Sequence, residues 1–531
     1  MIKPRRWARD ARRVMAAMPV LRMGRVPDAP ALPVRDHWPG DPARGARLLQ
    51  DEMLLCGAVH RLAPGNWAST QGCESLRAAA HGFAWLRDLR ALGTDAARTR
   101  ARTLVADWMA TPSLERLARR PDVTGARITA WLGHYDFFAA SADDTFRTRL
   151  MGRLVADARM LAASMPAEEL DARALTALKG LIAAAVALPD HAAFLTRALR
   201  ILPQEIARQV LPDGCHVERS PAAQLAALQD LTEIRSLLQA AQAHPPTALA
   251  SAIERMAPAL RAFRHGDGGL ALFNGAKEEQ AALVELVLTQ AGRGSRAPAG
   301  LTEGGFHRLQ AGRCVLVVDC GAPPPPGIDR LAHAGTLSIE VSVGRDRMIV
   351  NCGAAPAAGP AWQDASRATA AHSTLVIADT NSSELRPCGI GRHPNQVEVQ
   401  RQEANGAHWL EASHDGYLAS FGALHRRRLY MAESGEDIRG EDAVEGAAAQ
   451  PYAVRFHLHP AVGAALQPDN ETVLLRLPGG SSWRLRAEGV QMSLEESVYL
   501  GGPDPRPAQQ VVLAGKADGA QQVKWAITKV A

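Results

Sequence analysis

The sequence has no apolar run near the roughly 20 residues that a bilayer-spanning helix requires, so no transmembrane segment is expected. Cysteine is scarce and odd in number, seven in 531 residues, and no two stand in a C-x-x-C spacing. That excludes a disulfide framework and fits a reducing compartment. Aromatic residues make up only 5% of the chain, with ten Trp and five Tyr, so each tyrosine can be weighed alone. A broad surplus of one charge is missing too. The net charge is +5, yet the first thirty residues hold eight basic against two acidic side chains, which leaves the remainder at minus one. A neutral body of this kind carries no general coat for nucleic acid. The phosphate-loop motif G-x-x-x-x-G-K-S/T, the zinc-protease motif H-E-x-x-H and the hydrolase motif G-x-S-x-G are also absent.

What is present is ordinary for a globular protein: 47% hydrophobic and 22% charged residues. The length implies about three to four domain-sized units. Residues 1–40 form a basic arm. Its apolar stretch, Val14 to Leu21, contains Pro19 and is followed by Arg22 and Arg25, which does not match a secretory signal. A cytoplasmic location is expected on that ground. The arm is expected to be solvated, with weak contact to an anionic membrane surface.

Residues 41–298 are rich in Ala, Leu and Arg, with apolar residues at three- and four-residue steps and breakers such as Gly93-Thr94, Pro121-Asp122 and Pro245-Pro246. About ten helices packed as hairpins are predicted. Gly292-Arg-Gly-Ser-Arg-Ala-Pro298 marks a boundary. Residues 299–531 then show more than ten short β runs, among them Cys314–Asp319, Ser373 to Ile377 and Arg426 to Tyr430, which predict a large antiparallel sandwich.

One loop ahead of a helix stands out: Leu211-Pro-Asp-Gly-Cys-His-Val-Glu-Arg-Ser-Pro221. Ser220 and Pro221 fit a helix cap and first position. His216, Glu218 and Arg219 lie just before them, either as an anionic-substrate site or as a capped helix with a surface ion pair. His333 and His372 sit beside β runs with Asn351 between them, either as two imidazole ligands and an oxygen for zinc or as hydrogen-bonded interior groups. His457-Leu-His459 reads as structural. Arg426 and Arg428 share one strand face and read as ion-paired. His265-Gly-Asp-Gly-Gly269 reads as a turn.

Taken together, Asp213 to Pro221, His333 to Gly344 with Val350-Asn-Cys-Gly353, Arg367 to Thr374, and His414-Asp-Gly-Tyr417 with His425 to Arg428 resemble the heparinase II/III family of polysaccharide lyases. The resemblance spans nearly the whole chain. It implies an incomplete α/α toroid followed by an antiparallel β-sandwich, and β-elimination on a uronic-acid-containing acidic polysaccharide. In that chemistry a cation neutralises the substrate carboxylate, a base takes the C5 proton and an acid protonates the leaving oxygen. His216 is expected as base or acid, Glu218 as its orienting group and Arg219 as the carboxylate partner. Tyr417 is expected as proton donor, with Tyr135 in reserve. The family's zinc pattern falls on His333, Asn351 and His372. This chain departs from the family at three places: the catalytic Tyr position is Ala223, the Asn-His pair reads Asp171-Ala172, and a further His position is Leu331. The second expectation is therefore a glycan-binding or scaffold protein that retains the fold without the chemistry. The family's polymers are met outside the cytoplasm, which sets the periplasm or cell envelope against the missing export signal.

Overall fold

The computed structural model describes residues 26–530 except 56–57, 70–71, 112–113, 115, 167–170, 190, 293–295 and 355–358. Most of the basic arm, and with it the expected membrane contact, lies outside the described residues. Contacts divide the chain into two compact units. One holds residues up to Gln209 together with Ala226–Ile253; the other holds Val210–Leu225 together with the chain from Glu254 onward.

The first unit is helical, and its helix ends follow from short sequence signals. Gly93, left-handed at φ 70°, closes Leu86–Leu92, and Thr94 caps Asp95–Ala110 by accepting from the Ala97 N–H at 3.1 Å. A residue without Cβ strain followed by a small polar acceptor lets one helix end and the next begin without a loop. Asp143 caps Asp144–Ser164 through the Phe146 N–H, and Pro121 opens Pro121–Gly133. Pro121–Gly133 packs on Arg173–Ala187 through glycine: a Cβ on Gly180 would lie 2.2 Å from the Gly125 Cα. One cluster of aromatic rings sits here. Phe83 stands 5.5, 5.7 and 5.2 Å from the rings of Trp67, Trp108 and Trp131. Buried Arg127 lies over Trp108 at 4.4 Å and pairs with buried Asp157 at 2.8 Å. The large flat rings supply much of the buried area that the many alanines cannot.

The second unit is the sandwich. Two long strands, Asp437–Leu458 and Arg506–Lys529, pair antiparallel along most of their length, with register shifts between Val444, Ala447 and Gln450. On one side of the shifts Asp437–Leu458 pairs with Leu424–Met431, followed outward by Ala407–His414 and Val397–Ala404. On the other side it pairs with Leu375–Ile377 and Asp346–Val350, followed by Ile339–Val343, Cys314–Asp319 and Phe306–Ala311. The irregularities let one strand serve two sets of partners. The apolar faces enclose a core that includes Leu316, Ile339, Leu410, Leu429, Phe456, Trp483, Leu513 and Ile527.

The α+β fold class is as expected, helices first and then an antiparallel sandwich. The composition change near residue 298 is not the line along which contacts divide, because the loop before helix Pro221–Ala240 and the chain from Glu254 group with the strands.

Gly440 sits against the Trp525 ring, where a Cβ would lie 2.0 Å from the indole. Gly440→Ala is expected to lower the unfolding free energy by about 1–3 kcal/mol, as overpacked cores do. Denaturant titration measures this; an unchanged midpoint would mean the indole has room to move.

Candidate functional site

The loop 211–221 is folded by its own short-range bonds. Val210 and His216 form an antiparallel bridge, and the Leu211 N–H donates to the Cys215 carbonyl at 2.9 Å. Asp213 accepts from the Cys215 N–H at 3.0 Å and the Gly304 N–H at 2.8 Å, so one carboxylate ties the turn to the first strands of the sandwich unit. Gly214 has φ 84° and a Cβ there would lie 2.1 Å from the Arg255 carbonyl oxygen, so the turn requires glycine. Gln224, on the first turn of the helix, accepts from the His216 N–H at 2.6 Å and donates to the carbonyls of Gly214 and Met256 at 2.8 and 3.0 Å.

Arg219 is held inside. Its backbone is left-handed at φ 52°, a costly conformation for a residue with a Cβ. The guanidinium pairs with Asp319 and donates to the carbonyls of Gly304 at 2.7 Å, Ala322 at 2.6 Å and Gly321 at 3.3 Å. It also lies over the Phe306 ring at 4.8 Å. A Cβ on Gly321 would lie 2.3 Å from the guanidinium, so the glycine makes room for it. The donors expected to meet a substrate carboxylate are thus engaged by the protein's own oxygens.

His216 is fully buried. Its Nδ1 accepts from the Glu218 N–H at 3.3 Å and stands 3.7 Å from the Glu218 carboxylate. The Nδ1 lone pair thus serves a backbone bond. Glu218 was expected to orient His216 through its carboxylate; its backbone N–H and its carboxylate both face Nδ1.

His333 and His372 are brought together, Nδ1 to Nε2 at 3.0 Å, both buried. They lie on loops beside the strands. His372 Nδ1 donates to the Ala368 carbonyl at 2.8 Å, which leaves its Nε2 to accept from His333. The two rings stand edge to face, 81° apart, and Gly335 makes room for them: a Cβ there would lie 2.7 Å from the His372 ring. Asn351 is fully buried, and its amide is engaged at both ends. It accepts from the Ser373 N–H at 3.0 Å and donates to Glu340 at 3.1 Å. Among the described residues no group of three His, Cys, Asp or Glu side chains is arranged to hold a metal. The expected set of His333, Asn351 and His372 offers two imidazoles and a neutral amide already bonded, and it does not fit zinc.

Tyr417 lies inside the sandwich core, its hydroxyl donating to the Leu375 carbonyl at 3.1 Å. Burial pushes this phenol well above its ordinary value, the wrong direction for a group that must release a proton. The aromatic ring is part of the apolar packing, and that replaces the expected donor role. Tyr135 belongs to the first unit, in Tyr135–Phe138; its hydroxyl is buried without a hydrogen-bond partner among the described residues, and burial raises its pKa. Asp171 is engaged by Arg173 at 2.8 Å. His265 pairs with Glu340 at 2.9 Å, and Arg426 and Arg428 pair with glutamates on the strand surface.

Sequence reasoning missed Asn274 and the pairing role of Asp319. Asn274 donates to the Arg219 carbonyl at 2.8 Å and accepts from the His333 N–H at 3.0 Å, so it couples the helix-leading loop to the histidine loop. The signal for Asp319 was a lone acid ending an otherwise apolar strand.

A family profile described as Heparinase II/III N-terminus matches residues 110–293, and one described as Heparinase II/III-like, C-terminal matches residues 293–526. FtsZ-localized protein C of Caulobacter vibrioides (strain NA1000 / CB15N) is 31% identical over 519 residues, 93% of this chain and 89% of that protein. A crystal structure of heparinase III superposes with a TM-score of 0.77 at 13% identity, covering 99% of this chain and 89% of that one. Heparan sulfate lyase HepC from Pedobacter heparinus superposes with a TM-score of 0.59 at 16% identity, covering 99% and 87%. At those identities the two structures speak for the fold alone.

The buried histidines make stability depend on pH. Burial holds His372 near 4 and His457 near 3, and keeps His333 well below the ordinary 6.5. The unfolded chain takes up these protons near pH 6.5 and the fold refuses them until about pH 4, so stability is full above that window and is lost as pH falls through it. Urea titrations at about pH 7.5 and about pH 5 are expected to show a lower unfolding free energy at the acid value. His372→Gln is expected to be less stable at the higher pH and to show a shallower pH slope. A wild-type free energy that is flat across the window would remove this role.

Proposed function

Since the chain belongs to the heparinase II/III-like family, we propose that it uses the lyase fold as a non-catalytic interaction protein. The carrying observation is where the candidate chemical groups lie. β-Elimination needs a cation for the carboxylate, a base with a lone pair and an acid, all facing one sugar. The guanidinium of Arg219 serves Asp319 and three carbonyls, His216 is buried with Nδ1 accepting, and Tyr417 is a core residue. The substitutions at Ala223, Asp171 and Ala172 support the same reading. So does the 31% identity to a protein named for localisation by FtsZ. We assign FtsZ, or a complex containing it, as the partner, and the cytoplasm as the place. The basic arm adds weak attraction to anionic lipid, about 1 kcal/mol for each Lys or Arg near the surface.

The lyase reading, with an acidic polysaccharide as substrate, is supported by one observation beyond the fold. The Tyr135 hydroxyl has no hydrogen-bond partner among the described residues, and an unsatisfied buried hydroxyl costs about 1–3 kcal/mol unless something compensates it.

Two assays separate the readings. Incubation with heparan sulfate, chondroitin, hyaluronan and alginate, followed by far-ultraviolet absorbance of the unsaturated product, is expected to give none. Purified FtsZ immobilised on a sensor surface is expected to retain the protein. Product from wild type, abolished by His216→Ala or Tyr135→Phe, would establish the lyase instead.

A further inference from the structure

The outer face of the sandwich sheet carries a groove of about 830 Å³, within the range of ligand sites. It runs across strands Val397–Ala404, Ala407–His414, Leu424–Met431 and Asp437–Leu458 to Arg506–Lys529 and Ser482–Ala487. Register sets its contents. Gln402 faces Trp409, Trp409 faces Tyr430, and Tyr430 faces Arg439, so these side chains form one row perpendicular to the strands. The Trp409 and Tyr430 rings are 5.2 Å apart and tilted by 48°, and Arg439 lies 5.9 Å from the Tyr430 ring centre. Trp409 is 42% exposed, in a chain with few aromatics, most of which are buried.

The next row, Gln400, Glu411, Arg428 and Glu441, is electrically closed. Arg428 bonds Glu411 at 2.7 Å and Glu441 at 3.1 Å. Arg439 pairs with Asp437 at 2.7 Å, and Arg486 pairs with Glu488 at 2.9 Å. Lys524 also lines the groove, 4.0 Å from Glu441, so the groove's four cations, Arg428, Arg439, Arg486 and Lys524, stand against Asp437, Glu411, Glu441 and Glu488. An anionic polymer meets no net positive charge there, and an acidic or basic peptide gains little from pairs that are already formed. Strand addition over the rings is closed, because the strands that carry Trp409 and Tyr430 are bonded on both sides; among the described residues of this face the unpaired edge is that of Val397–Ala404. The unused capacity is an open aromatic pair, the amides of Gln400 and Gln402, which make no hydrogen bond among the described residues, and the spare N–H groups of paired arginines. An exposed ring face beside neutral donors and acceptors matches the face of a pyranose ring and its hydroxyls.

We propose that this face binds an uncharged glycan, with Trp409 and Tyr430 as the stacking platform and Gln400, Gln402 and Arg439 bonding hydroxyls. The site lies wholly on the sandwich and is independent of the FtsZ assignment and of any lyase chemistry. An array of neutral and acidic oligosaccharides, followed by tryptophan-fluorescence titration of the hits, tests it. Binding to a neutral oligosaccharide is expected, unchanged between about 50 mM and about 500 mM salt because no net charge is engaged. Trp409→Ala is expected to weaken it by about thirtyfold, as loss of a central aromatic anchor does. Trp362→Ala, which removes another exposed tryptophan, is expected to leave it unchanged. Both variants should match wild type in denaturant midpoint. An array with no neutral hit would overturn the proposal. So would binding that Trp409→Ala leaves intact, or binding only to acidic glycans that fades with salt. Loss of FtsZ retention in Trp409→Ala without any glycan hit would make the face a protein interface.

Discussion

The guanidinium of Arg219, buried against Asp319 and three backbone carbonyls, organises the sandwich unit. A charge removed from water is tolerated only when opposite charge and hydrogen bonds replace the lost hydration. Every neighbour of this group meets that demand. Gly321 clears space for it, Phe306 offers its ring face, and the loop accepts a left-handed backbone so that the side chain can reach. From that anchor Asn274 passes the constraint to the His333 loop, and Gln224 passes it to the start of the helix. Arg219 and Asp213, two of the charged residues of the helix-leading loop, are tied to the sandwich unit by these bonds.

The same logic recurs deeper in the unit. Asp442 takes a bidentate pair from Arg427, a bond from His425 and another from the Trp525 indole, all buried. His265, Glu340 and Asn351 form a second closed set. Histidines in such sets stay neutral because burial penalises the imidazolium, and they act as directional donors and acceptors between loops. The outer face of the sheet is different: its charges close on one another while its aromatic strip stays open.

The architecture was legible in the sequence because period and punctuation carry it. Gly93-Thr94 and Pro121 set helix ends, and the continuous apolar run of Cys314–Asp319 set a strand. The pairing of His333 with His372 was legible as proximity, and its chemistry was not. Whether two imidazoles bond each other or a metal depends on what faces them, and Asn351 turned to Glu340 and Ser373. Tyr417 illustrates a different limit. Tyr417, beside a polar turn, was expected as a proton donor, and only the tertiary fold places it among Leu375 and its neighbours. Arg219 was expected to meet a substrate carboxylate, and its pairing required its distant partner Asp319 to be seen.

The helix-leading loop is an anchor built on the buried pair of Arg219 and Asp319. A double-mutant cycle on unfolding, with Arg219→Met, Asp319→Leu and the pair combined, measures this directly. Each single change leaves one charge buried alone and is expected to lower the unfolding free energy by about 3–5 kcal/mol, with the double variant recovering a large part of the loss. Single variants within about 0.5 kcal/mol of wild type, and no coupling between them, would contradict it.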